Sequence, residues 1–254
     1  MKIIAIIQAR MGATRLPGKM LMDIAGKPAV AWSIERAAMA DSINEVWMAT
    51  TVNPADDAFE AWAHEHSVNI YRGSEQDVLD RYYQTAREAE ADIIVRITAD
   101  CPFTDPQVVD AVIQANQDGS YDYVSNVHPP TYPDGLDVEV FSFSALDRVH
   151  KEARLQSERE HVTPYIWKHP ELFKLKNVTN NIDLSSYRWT LDTPEDLTFL
   201  QHVGEACIAK GGNCGMGDIL GILSAHPDWR ALNNQYKRNE GYVKSLQEDK
   251  KVVE

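Results

Sequence analysis

Short apolar runs alternate with stretches whose apolar residues recur at helical spacing through the first half of the chain. The run Ile3-Ile4-Ala5-Ile6-Ile7 predicts a strand covered on both faces, because neither side of it carries a polar residue. Pro28 to Ala40 set Val30, Ile34 and Ala37 or Ala38 on one helical face, and Asn44 to Thr50 return to strand character. Asn53-Pro54 is a cap with proline in the first turn, opening a helix to about Ser67, after which Val68 to Tyr71 form a short strand. Val78, Leu79, Tyr82, Tyr83 and Ala86 mark the next helix. Asp92 to Thr98, with Ile93, Ile94, Val95 and Ile97, mark a central buried strand, and Asp105-Pro106 caps a helix bearing Val108, Val109, Val112 and Ile113. Such alternation predicts a mostly parallel sheet flanked by helices.

The regularity loosens beyond residue 120 into a smaller, irregular β region. Tyr121 to Ser125 and Leu136 to Phe143 read as strands around the stiff proline-rich loop His128 to Gly135. Helices are predicted over residues 144–152 and 157–168, and strands over 172–179 and 187–191. Thr193-Pro194-Glu195-Asp196 starts a further helix with capping-box character, and Gly217 to Ala225 form the last long one. The expected organisation is one α/β domain over residues 1–225 with a C-terminal extension over 226–254, frayed or packed against a partner.

A formal charge of −13 argues against nonspecific binding to nucleic acid or anionic lipid, so clustered cations in this chain are local devices suited to small anions. No apolar run approaches the roughly 20 residues that span a bilayer, and the opening run lacks the form of a signal peptide. A cytoplasmic location is the expectation. Cys101, Cys207 and Cys214 lack Cys-x-x-Cys spacing, which speaks against a disulfide framework or a thiolate zinc site.

The cations gather directly after the first strand, where Arg10, Arg15 and Lys19 share a loop with Gly12 and Gly18. Glycines let backbone N–H groups approach a ligand, and arginine forks and a lysine point charge suit a polyphosphate. Neither Gly-x-x-x-x-Gly-Lys-Ser/Thr nor Gly-x-Gly-x-x-Gly occurs, so the loop is of neither familiar type. Asp100 follows the central strand, where open α/β sheets gather ligands, although a turn cap before Pro102 is the plainer role. Asp192 holds an analogous place after residues 187–191, where it would also favour a helix N-terminus. Two carboxylates from distant segments suit Mg²⁺, which keeps most of its water, and the chain has no Asp-x-Asp. Asp137 and Glu139 alternate with apolar neighbours and share one strand face, either solvated or substrate-binding; His161 is a second candidate acceptor contact.

Ala9 to Lys19 resemble the Ala-Arg-x-x-Ser/Ala-x-Arg-Leu-Pro-Gly-Lys signature of cytidylyltransferases that activate sugar acids. Arg72 to Tyr82, Pro133 to Val140, Glu158 to Tyr165 and Leu191 to Leu197 are similar to segments of the spore-coat polysaccharide type of that family, related to the synthetases that make CMP-ketodeoxyoctonate and CMP-sialic acid. The resemblance spans residues 3 to 200 and implies a nucleotide-diphospho-sugar transferase-like, Rossmann-like fold. It implies that Arg10, Gly12, Arg15 and Lys19 hold the triphosphate of CTP beside Ala9 and Met11, with Arg15, Lys19 and Asp100 catalytic. Gly73, Ser74 and Asp77 would lie near the base, and Asp100 and Asp192 would hold Mg²⁺. Thr98-Ala99-Asp100 departs from the Gln-Gly-Asp of ketodeoxyoctonate-activating relatives, which places Thr98 where a base or sugar contact is made. The expected reaction transfers CMP to an acidic sugar or related acceptor, in surface polysaccharide biosynthesis and in a homodimer joined through residues 120–190. A nucleotide-sugar-dependent glycosyltransferase and a non-catalytic nucleotide-binding module are the alternatives.

Overall fold

The computed structural model describes residues 1–13 and 15–252; Thr14 of the first loop and the last two residues lie outside it. In chain order the elements are β1 (Ile3–Gln8), β2 (Asp23–Ile24), β3 (Lys27–Pro28), α1 (Ala29–Ala38), β4 (Glu45–Thr51), α2 (Asp57–Glu65), β5 (Asn69–Gly73), α3 (Val78–Glu88), β6 (Ile93–Thr98) and α4 (Pro106–Gln114). The second half adds β7 (Tyr123–Ser125), β8 (Glu139–Ser142), α5 (Phe143–Glu152), α6 (Gln156–His161), α7 (Pro164–Lys168), β9 (Leu175–Asn177), α8 (Pro194–Ala209), α9 (Met216–Ala225), α10 (Pro227–Arg230) and α11 (Glu240–Gln247).

Seven strands form one sheet in the order β5-β4-β1-β6-β8-β7-β9, and β2 and β3 form a separate small hairpin. Only β8 runs against the others in the large sheet. The alternation of side chains along β1 splits the core in two: Ile3, Ala5 and Ile7 pack with α1, α4, α8 and α9 on one face, while Ile4 and Ile6 pack with α3, α5 and α7 on the other. Burial on both faces explains why the predicted opening strand is apolar throughout.

The second half departs from its sequence pattern at several places, besides the strand predicted over 172–179 shortening to Leu175–Asn177. The strand expected from Leu136 begins only at Glu139, because the Asn126 side chain takes up the Val138 N–H and donates to the Leu136 carbonyl, replacing a neighbouring strand. Residues 157–168 are two helices, broken at Val162, whose φ is +71°. Residues 187–191 are not a strand: Trp189 N–H donates to the Asp134 carbonyl at 2.6 Å and Leu191 N–H to the Asp100 carbonyl at 2.8 Å, so this backbone ties two loops together. Gly135, at φ +106°, permits that contact, since a Cβ there would stand 2.7 Å from the Trp189 carbonyl group. Phe141, Phe173 and Trp189 lie in the core and are not available to an interface.

The tail folds back on its own chain. Ser157 donates to Asp249 through both its N–H and its hydroxyl, Arg238 pairs with Asp137, and α11 packs on α6 across the carboxyl ends of the parallel strands.

Candidate functional site

The loops leaving β1 and β6 emerge side by side, because these strands are parallel neighbours with Gln8 opposite Thr98. The first loop therefore meets Asp100, and the Leu191–Asp100 backbone bond brings Asp192 to the same point. Lys19, only 7% exposed, binds them together: its ammonium donates to Asp100 at 2.9 Å, to Asp192 at 2.8 Å and to the Leu191 carbonyl at 2.7 Å. All three of its donors are thus used inside the protein. In this arrangement Lys19, expected from the sequence on a triphosphate, draws the two carboxylates together. Burial disfavours its charge, but Asp100 and Asp192 outweigh that and leave its pKa raised. Burial likewise pushes the Asp100 carboxyl up, yet Lys19 and local hydrogen bonds hold it below the ordinary carboxylate range.

Arg15 lies above this cluster, with one end on Asp192 at 2.9 Å and the other on Glu240 of α11 at 3.0 Å. Arg188 reaches Asp192 at 3.2 Å and is itself anchored by Asp196 at 2.9 Å. Both Asp192 oxygens are therefore in ion pairs, whereas Asp100 Oδ1 has the Cys101 thiol at 3.8 Å and no ion pair among the described residues. Asp100 Oδ1 is thus the one carboxylate oxygen of the pair open to a hard cation such as Mg²⁺, and Asp192 could join it only by giving up one of its cationic partners. Among the described residues no larger cluster of histidine, cysteine or carboxylate groups forms a metal cage.

Two cavities meet at this cluster. The first, of about 670 Å³, is lined by Ala9, Arg10, Arg15, Lys19, Arg81 and the tail residue Lys244, among others. The second, of about 360 Å³, is lined by Arg96, Asp137, Glu139, Trp167, Arg188 and Lys237, among others. Thr98, Asp100, His161 and Asp192 border both. His161 bonds to Ser245 of α11 at 3.0 Å, and burial pushes its pKa down to about 4, so the ring is neutral near pH 7.

Other residues singled out in the sequence take supporting places. Met11 donates its N–H to Asp56 at 2.7 Å, and neither Met11 nor Gly12 is among the described residues lining these two cavities; Arg10 and Gly12 N–H groups have no protein partner among the described residues. Asp77 caps α3 and pairs with Arg159 at 2.7 Å, and Ser74 accepts the Asp77 N–H at 3.1 Å. Gly73 makes room, because a Cβ there would come within 2.8 Å of the Tyr71 ring and 3.4 Å of Arg81 Cγ. Glu139 is buried, not on a solvated face, and accepts from Tyr123, Thr163 and Arg96. Asp137 pairs with Arg238, and burial with nearby Asp134 and Glu139 pushes its carboxyl up to about 7 against that pairing. All three cysteines are buried and free, and burial raises the Cys101 thiol well above its ordinary range, which removes it as a nucleophile.

Sequence reasoning missed Arg81 and Arg96. Each is the one charged residue in a mostly apolar pattern, on the buried face of α3 and within β6, and that mismatch is the signal that could have found them. Arg81 is 2% exposed, and its side chain makes no hydrogen bond among the described residues. The tail's share of the site, through Arg238, Glu240 and Ser245, has no comparable signal in the sequence.

A cation-rich loop at the strand ends, a carboxylate pair beneath it and two adjoining cavities define a nucleotidyltransferase. Residues 4–206 match the cytidylyltransferase family, and the chain belongs to it. It is 32% identical over 237 residues to the spore coat polysaccharide biosynthesis protein SpsF of Bacillus subtilis, covering 89% of this chain and 95% of that one. It resembles the solved cytidylyltransferase of Leptospira borgpetersenii with a TM-score of 0.84 and 32% identity, over 91% of this chain and 97% of the other. The synthetase of CMP-2-keto-3-deoxy-manno-octonic acid, solved with CTP, shares the fold with a TM-score of 0.62 at 20% identity, over 83% of this chain and 100% of the other. The protein is thus a CTP-dependent nucleotidyltransferase, which sets aside the glycosyltransferase and the non-catalytic module. Among the described residues no helix is long and apolar enough to cross a membrane.

Proposed function

We propose that the enzyme transfers CMP from CTP to an acidic sugar or a related small anionic acceptor, in the making of a surface polysaccharide. The supporting observation is the meeting of the two cavities at Asp100 and Asp192, with the cation-lined cavity taking the nucleotide and the other the acceptor. An acceptor oxygen attacks the α-phosphorus, the new O–P bond forms as the bond to the β-phosphate bridging oxygen breaks, and pyrophosphate leaves. Mg²⁺, held by Asp100 with Asp192, would neutralise phosphate charge there. Arg10 and Arg15 face the triphosphate, Arg15 exchanging Glu240 for phosphate oxygens; Lys19 keeps the two carboxylates converged, and the neutral His161 borders both substrates.

The test mixes the enzyme with CTP, Mg²⁺ and a panel of acidic sugars and phosphonates, and follows pyrophosphate and the mass of the adduct. Turnover with an acidic acceptor and CTP is expected, with UTP and GTP at least about tenfold poorer in kcat/KM, because a base pocket rejects an edge that leaves its polar groups unpaired. Turnover only with neutral acceptors, or equal use of the other nucleotides, contradicts the reading.

Arg81 gives a second test. A buried guanidinium without a partner destabilises the free protein and is answered when an anion enters the cavity. Arg81→Met, which keeps an apolar stem, should raise the melting temperature while raising KM for CTP at least about tenfold, or roughly 1.4 kcal/mol. An unchanged KM removes Arg81 from the nucleotide site.

A further inference from the structure

Arg96 and Glu139 face each other directly across β6 and β8, in a strand whose other residues are apolar except the terminal Thr98. Glu139 is fully engaged in this arrangement: one oxygen accepts from Arg96 Nη1, and the other accepts from the hydroxyls of Tyr123 at 2.5 Å and Thr163 at 2.6 Å. Arg96 is not. A guanidinium carries five N–H donors, and among the described residues only Nη1 has a partner, with Nε buried and unbonded. The side chain is 15% exposed, and it opens into the second cavity. Arg96 and Thr98 alternate onto one face of β6, and Asp100 stands in the turn just past the end of that strand.

Carboxylates on the same cavity already have cations. Asp134 pairs with Arg188 at 3.2 Å, Asp137 with Arg238, and Asp192 with Lys19 at 2.8 Å, whereas Lys237 on the rim has no ion pair among the described residues. Beside the unbonded Gln8 Oε1 and Tyr242 hydroxyl, the cavity therefore presents two cations, Arg96 and Lys237, that carboxylates leave free to meet an anion, and the upward push on the Asp137 carboxyl lessens the opposing charge near pH 7.

We propose that Arg96 is the residue that recognises the acceptor's oxyanion: its free guanidinium edge takes a carboxylate or phosphate of the acceptor at the far end of the second cavity, leaving the attacking hydroxyl near Asp100. Glu139, Tyr123 and Thr163 act through Arg96 as positioning residues, which gives Glu139, one of the candidate acceptor contacts, an indirect role. The inference rests on the proposed division of the two cavities between nucleotide and acceptor. An arginine suits the task because its planar fork matches an oxyanion in two directions, which a lysine ammonium cannot do.

The experiment titrates the full-length enzyme, saturated with CTP so that the first cavity is filled, with sodium pyruvate, inorganic phosphate and neutral glycerol at constant ionic strength. Tryptophan fluorescence is the readout, since Trp167 lines the second cavity. CTP affinity is measured in parallel by calorimetry. A saturable response to an anion and none to glycerol is expected, with pyruvate the tighter ligand for a carboxylate acceptor and phosphate for a phosphorylated one. Arg96→Lys should weaken it at least about tenfold, and the charge-neutral pair Arg96→Gln with Glu139→Gln, which leaves no buried carboxylate unpaired, should abolish it. CTP affinity and melting temperature should stay near the wild-type values, which a merely structural loss would not allow. No saturable response in the wild type, or a response that survives in the double variant, overturns the assignment while leaving the nucleotide reading intact. Failure of the wild type to bind CTP overturns both.

Discussion

Lys19→Ala is expected to destabilise the protein by roughly 2–4 kcal/mol and to abolish measurable turnover. Removing one partner from a buried ion pair usually costs about 3–5 kcal/mol, because the opposite charge is left in a poor solvent. Asp100 and Asp192 retain 24% and 20% of their side-chain surface, so water recovers part of that loss. The pH dependence follows from the shifts. Asp100 has a folded pKa below its unfolded value of about 3.9, so its contribution is present above that pH and is lost as pH falls through the folded value. Lys19 has a raised folded pKa, so its contribution is present below about 10.4 and lost only at still higher pH. The stability gap between wild type and Lys19→Ala should therefore be widest from about pH 5 to 9 and narrow as the carboxylates protonate. Thermal melts from about pH 2 to 9 measure it, and a gap that does not narrow below about pH 4 would contradict the ion-pair account.

Asp100→Asn is expected to lower kcat about a thousandfold, equivalent to roughly 4 kcal/mol of transition-state stabilisation, with a modest fall in melting temperature because buried Lys19 loses one of its two anionic partners. An amide keeps the shape and still accepts from Lys19, but it removes the charge at the one carboxylate oxygen that has no cation on it. Asp192→Asn should also lose activity, and in addition it weakens the ion pairs to Lys19, Arg15 and Arg188, so its melting temperature should fall. Rate measurements over a Mg²⁺ titration check both. Full activity in the Asp100 variant would remove that residue from the reacting centre.

The contrast between these two carboxylates shows what the sequence can carry. Asp100 was legible because a run of buried apolar residues ends at it, and a parallel strand between covering helices announces its own carboxyl end. Asp192 was placed correctly at a loop, but for a reason the pattern did not contain: residues 187–191 look like a strand and are instead held by backbone bonds to Asp134 and Asp100. Glu139 was recognised by alternation, yet alternation cannot distinguish a solvated carboxylate from one enclosed by Arg96, Tyr123 and Thr163, which come from three separate elements. Tail residues Arg238, Glu240 and Ser245 could not be found at all, since their partners lie 101, 225 and 84 positions away. Local periodicity records burial, and it is silent on long-range pairing.

The central claim is attack on the α-phosphorus at the junction of the two cavities, and the position of an isotopic label tests it most directly. CTP labelled separately at the α- and γ-phosphates is incubated with the enzyme, Mg²⁺ and the acidic acceptor that supports turnover. The account predicts that the α label appears in the acceptor adduct and the γ label in pyrophosphate. Transfer of the γ label to the acceptor, or release of orthophosphate with no adduct, would contradict it.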